Sequence, residues 1–122
     1  MNKVITVGEK EVNLLANAAT PIRYKMVFGE DVMVAFNQIT NAKRDSGEIL
    51  DIVSQLAYIM NAQATMDRDE LKKLNRETFI EWLEDFGAMD FVNASEEIIN
   101  TYLEQSGTDS KSKNAASRPK GK

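Results

Sequence analysis

The chain has 122 residues, 19 acids against 15 bases, a net charge of −4, and neither cysteine nor histidine. That excludes disulfides, thiolate metal sites, cysteine nucleophiles and a serine–histidine–acid triad. It also removes the commonest neutral-pH acid–base group and the commonest zinc ligand. The apolar fraction of 43% suffices for one small globular core.

The opening MNKVITVGEKEV lacks the apolar h-region of a signal peptide. No stretch approaches the roughly 18 uninterrupted apolar residues of a membrane span. A cytoplasmic location is the expectation. Charge is uneven. Ser106 to Lys122 holds one acid and five bases, which leaves 18 acids and 10 bases in residues 1–105. Such an acidic body repels nucleic acid. The tail has no aromatic groups to stack on bases, so a solubilising or linker role is the expectation for it.

In chain order, Lys3 to Val7 alternates as a β-strand. Gly8-Glu9-Lys10 reads as a turn and Glu11 to Leu15 as a second strand, which together predict a hairpin. Two strands alone are marginal, so the hairpin needs a packing partner. TPIRYKMVFGED follows. Thr20 is the expected N-cap, Pro21 suits the first turn, and Gly29 suits a left-handed C-cap. A second helix is predicted over about 30–40, with Val32, Met33, Phe36 and Ile39 on one side. Thr40 to Gly47 is a polar break.

Glu48 to Met66 is the longest apolar-periodic run. Ile49, Ile52, Val53, Leu56, Ile59, Met60 and Gln63 keep the i, i+3, i+4, i+7 rhythm. Leu50, Ala57 and Tyr58 widen the stripe, as in a central helix buried on more than one side. Asp67 to Asn75 reads as part helix, part connector. Thr78 to Glu81 matches a capping box. It opens a helix carrying Phe79, Ile80, Trp82, Leu83 and Phe86, with Gly87 as its stop. Met89 to Val92 is a short apolar patch. Ser95 is the expected cap of a final helix with Glu96 and Glu97 in its first turn, and Ile98, Ile99, Tyr102 and Leu103 as its apolar positions. The predicted fold is mainly α: a small helical domain over 1–105 with a short N-terminal β-hairpin, then a disordered basic tail over 106–122.

Chemical motifs are scarce. The glycines are scattered and form neither a dinucleotide fingerprint nor a phosphate loop. Carboxylates cluster at Glu30/Asp31, Asp67/Asp69/Glu70 and Glu81/Glu84/Asp85, a pattern that solvated helix faces and first-turn acids also produce. Asp67-Arg68-Asp69 opens like a calcium loop, but the required glycine and terminal glutamate are missing. No cofactor or metal site is expected, and a carboxylate hydrolase is disfavoured. Trp82 and Phe86, four apart, form either an exposed anchor or core. Met26, Met33, Met60, Met66 and Met89 suit either an adaptable binding surface or gap-filling.

TPIRYKMVFGED, then LAYIMNAQA (Leu56–Ala64), then FIEWLEDFG (Phe79–Gly87) resemble the tail assembly chaperones of long-tailed phages and prophages of low-GC Gram-positive bacteria. The resemblance runs from about Val4 to Leu103. It rests on Thr20, Pro21, Arg23, Tyr24, Phe28, Gly29 and Asp31, then Ala57, Tyr58 and Met60, then Trp82, Leu83 and Phe86. It implies a non-enzymatic protein, absent from the finished virion. Such a protein binds the long helical tape measure protein and keeps it soluble while tail tube subunits polymerise around it. Relatives often add a segment that recruits tube subunits, through a −1 ribosomal slip near the end of the gene. The tail codons for Arg118-Pro119-Lys120 or Lys120-Gly121-Lys122 are able to encode such a slip. Tyr24, Met26, Phe28, Met60, Trp82 and Phe86 are the nominated partner-binding residues, each with a core alternative. Self-association stays open. A small regulatory or adaptor domain that binds some other protein is the alternative reading.

Overall fold

The computed structural model describes residues 2–35 and 46–106, with backbone alone at 46–49 and 106. The N-terminal hairpin pairs β1 (Lys3–Val7) with β2 (Lys10–Leu14), antiparallel, in the register Ile5↔Val12 and Val7↔Lys10. Only Gly8 and Glu9 form the turn, one residue tighter than the sequence predicts. Gly8 at φ 63 supplies the positive dihedral that a two-residue hairpin loop favours. Ile5, Val7, Val12 and Leu14 point into the core, while Val4 faces out.

Helix α1 spans Thr20–Phe28 and ends as expected at Gly29 (φ 77), whose N–H donates to the Lys25 carbonyl at 2.7 Å. Its start differs from the prediction. Ala19 is the flanking residue, and its carbonyl accepts the Arg23 N–H. Thr20 is fully buried within the first turn. Its hydroxyl accepts from the Asn17 N–H at 2.9 Å and from Gln63 Nε2 at 2.7 Å. A cap must accept from an N–H of the helix's own first turn, whereas this hydroxyl is taken up by Asn17 and Gln63. Asp31 then caps a helical turn over 32–35 by accepting from the Met33 and Val34 N–H groups. Phe36, Ile39 and most of the predicted polar break lie outside the described residues.

Helix α2 (Ser46–Thr65) begins two residues before the expected Glu48. Every residue from Ile52 to Met60 is buried. α2 packs against β2 and α1 and against the three helices that follow the connector. This bears out its reading as the central helix, and it supplies the support that the hairpin needs. Polar groups complete that junction. The Leu15 N–H donates to the Met60 carbonyl (3.0 Å), Asn61 Nδ2 to the Asn13 carbonyl (3.0 Å) and Gln63 Nε2 to the Leu15 carbonyl (2.8 Å).

The connector carries a four-residue helix, α3 (Arg68–Leu71), with a reciprocal capping box between Asp67 and Glu70. The next capping box is built from Asn75 and Thr78, three residues ahead of the predicted Thr78–Glu81 pair, and opens α4 (Arg76–Leu83). Asn75 has the extended backbone that a cap needs, and its side chain accepts the Thr78 N–H at 2.9 Å. α4 stops at Leu83 with Glu84 as its C-cap, so Gly87 does not close it. Instead the Gly87 N–H donates to Asp90 Oδ2 at 2.7 Å.

The short helix α5 (Asp90–Asn93) leads through Ala94 into α6 (Ser95–Ser106). The Ala94 carbonyl accepts the Ile98 N–H, which makes Ser95 the first helical residue and not the cap. Gln105 reaches back to the end of β2: its Nε2 donates to the Leu14 carbonyl at 3.4 Å, and its Oε1 accepts the N–H of Ala16, just beyond the strand, at 3.0 Å. Ser106, the first residue of the predicted tail, is instead the last residue of α6, and the rest of that tail, 107–122, lies outside the described residues. Among the described residues no helix is long and apolar enough to cross a membrane.

Candidate functional site

The three stretches that carry the resemblance meet in one row of rings. Tyr24 and Phe28 on α1 have centroids 5.3 Å apart, and Phe28 meets Phe79 of α4 at 5.0 Å. Phe79 stands 5.5 Å from Tyr58 of α2, which stands 5.4 Å from Trp82. Trp82, Phe86 and Phe91 close a triangle with sides of 4.9, 4.8 and 5.4 Å. These separations and tilted planes are the favoured aromatic geometry. Segments far apart in sequence thus form one continuous wall.

The nominated residues divide by burial. Tyr24 and Met60 are wholly inside. Tyr24 Oη donates to Gln55 Oε1 at 2.9 Å, and burial, followed by the charges of Glu30 and Asp51, pushes the phenol well above its ordinary range. Phe28, Trp82 and Phe86 are half-buried and pack on the core. Arg76 covers Phe28, its guanidinium 5.6 Å from the ring centroid. Only Met26 is fully outside, 79% exposed.

The nomination omitted Ile22 (62% exposed), with Met33, Val34, Ile80 and Met89. The signal was present in α1. Ile22, Tyr24, Met26 and Phe28 are spaced by two, and a step of two in a helix crosses to roughly the opposite side. The inner side receives Tyr24 and Phe28. The outer side keeps Ile22 and Met26, four apart and adjacent on the surface.

Four of the carboxylates are engaged with backbone amides. Asp67 and Glu70 cap α3, Asp31 caps the turn over 32–35, and Asp90 holds Gly87. No group of three or more aspartates and glutamates is arranged to hold a metal ion among the described residues. Two surface depressions are lined by Gly8, Glu9, Lys10, Asp85, Gly87 and Asp90, and by Asn2, Lys3, Glu104 and Gln105; neither includes a nominated residue. The arrangement is therefore a surface with uncovered apolar groups over a ring wall. No family profile, curated protein or solved structure gives a significant match to this chain.

Proposed function

We propose that this protein is a tail assembly chaperone of a long-tailed phage or prophage. It acts in the host cytoplasm, binding the tape measure protein and holding it soluble during tail tube assembly. The observation that carries the reading is the ring wall from Tyr24 to Phe86: three separate resembling stretches become one body beneath one surface. The uncovered Ile22 and Met26 on the outer side of α1 supply what such a role needs, an adaptable apolar face for the unburied stripe of a long helix. The acidic body keeps the complex soluble. Tyr24, Phe28, Trp82 and Phe86 shape the wall, Met60 fills the core, and Met26 makes contact.

The test is co-expression of the full chain with the tape measure protein of the same phage genome, followed by pull-down. A soluble complex, from a partner insoluble alone, supports the reading. A partner that stays insoluble overturns it and moves the chain to the adaptor class.

A further inference from the structure

The outer side of α4 differs in chemistry from that of α1. Residues 77–104 contain eight acids and no base. On α4, Ile80 is 46% exposed and stands between Glu77 and Glu84, three and four residues away, so all three share one stretch of surface. Glu81 borders it on the far side. Arg76, the one cation on the helix, lies over Phe28, so this row starts where α1 ends. The helix's inner side is spent on the ring wall through Phe79 and Trp82. What remains outward is Ile80 with a one-sided frame of carboxylates, Glu84, Glu77 and Glu81 all lying on the same flank and Arg76 at the other edge.

We infer that the outer side of α4 docks a basic amphipathic helix, with Ile80 under its apolar stripe and Glu77, Glu81 and Glu84 pairing the flanking lysines or arginines. Charge complementarity selects this occupant: an acidic or neutral helix gains nothing from the frame, and nucleic acid is repelled. The chain's own basic segment beyond Ser106 has the charge but no large apolar residue to seat on Ile80. The inference deepens the proposed function by naming the chemistry of the partner helix, and it rests on that reading.

The probe is a fluorescent 18-residue helical peptide with leucine at i, i+3, i+4 and i+7 and lysine elsewhere; its twin carries glutamate for lysine. Anisotropy is read with the full chain at low and at raised salt. The lysine peptide binds at least about 30-fold tighter than its twin, and salt narrows the gap. Ile80→Ser, which leaves every charge in place, weakens it about fivefold, the effect of uncovering part of one side chain. Glu77→Lys with Glu81→Lys and Glu84→Lys inverts the preference between the twins. Glu96→Lys with Glu97→Lys, the same kind of reversal on α6, changes affinity less than about threefold.

Circular dichroism confirms that each variant is folded before binding is read. Equal binding of the twins overturns the inference. So does an unchanged affinity in Ile80→Ser, the result expected if charge alone acts, as it would with the chain's own tail. An equal loss from the α6 reversal also overturns it. A chain that solubilises the tape measure protein yet ignores the lysine peptide keeps the proposed function and loses this inference. The opposite pair of results does the reverse.

Discussion

Helices α1 and α2 draw on similar apolar residues to opposite effect. α2 buries nine consecutive residues, Ile52 to Met60, and leaves nothing large and apolar outside along that run. α1 buries Tyr24 completely and leaves Met26, two residues on, 79% exposed. Neighbours surround α2 on several sides: β2, α1, α4, α5 and α6. α1 lies at the margin of the body, with α2 as its main support. Apolar content alone therefore does not locate the core. The number of neighbours a helix can reach decides which of its faces are covered, and a marginal helix with two apolar faces has one to offer a partner.

Substitutions can break that contrast, the largest effect first. Tyr24→Ala removes a fully buried ring and its bond to Gln55 and costs about 3–5 kcal/mol. Its thermal melting, followed by circular dichroism, falls by more than about 10 °C. Melting within a degree or two of the parent would place Tyr24 outside the core.

Gln63→Leu strips the Leu15 carbonyl of its side-chain donor and the Thr20 hydroxyl of one of its two donors, the Asn17 N–H remaining. It costs about 1–3 kcal/mol, read by urea denaturation, because the part-buried Leu15 carbonyl loses that donor. No change in the urea midpoint would mean that the polar junction between β2, α1 and α2 contributes nothing.

Gly29→Ala costs about 1 kcal/mol, from its left-handed backbone alone, since an added Cβ meets no atom within 4 Å. Gly8→Ala is worse, because its Cβ also collides with the Asp90 carboxylate. The reverse order in paired melts would contradict the placement of the hairpin turn against α5.

The tyrosines give a pH test. Burial raises Tyr24, Tyr58 and Tyr102 above the ordinary phenol value of 10.0. Each folded pKa therefore exceeds its unfolded one. Their contribution is whole below about pH 10 and is lost as pH rises through the folded values. Stability against urea should stay level between neutrality and pH 9 as far as these groups act, then fall at higher pH. A Tyr24→Phe protein that falls equally steeply would remove Tyr24 from that account. The smallest effect is Met26→Ser, within about 0.5 kcal/mol of the parent in melting, as an exposed position requires.

Much of this architecture was legible in the sequence. The alternation of Ile5 and Val7 and the long rhythm from Ile52 to Met60 are period signals that burial on one or both sides enforces. Gly29 was legible because a helix that ends left-handed favours glycine. The caps were harder to place. Thr20, Thr78 and Ser95 all look like N-caps. In the structure each lies inside a first turn, because a neighbour (Ala19, Asn75 or Ala94) holds the flanking position. Local sequence states which residues are able to cap; tertiary context chooses among them.

The surface is the least legible part. Of the six nominated residues Met26 alone is fully exposed, and Ile22 was passed over. The spacing of two in α1 does signal a helix with two apolar faces. Which face is covered depends on α2 and α4, which no local pattern reveals. In the sequence Gln63 is one more position on an apolar stripe. Its work as a clamp on Leu15 and Thr20 needs the fold to be seen.

The most direct measurement is co-expression of the tape measure protein with the full chain and with its Ile22→Asp, Met26→Asp double variant, both confirmed as folded by their melting curves. The account predicts a soluble complex with the parent chain and an insoluble tape measure protein with the variant. A variant that keeps the partner soluble as well as the parent does would contradict the claim that the outer side of α1 is the binding face.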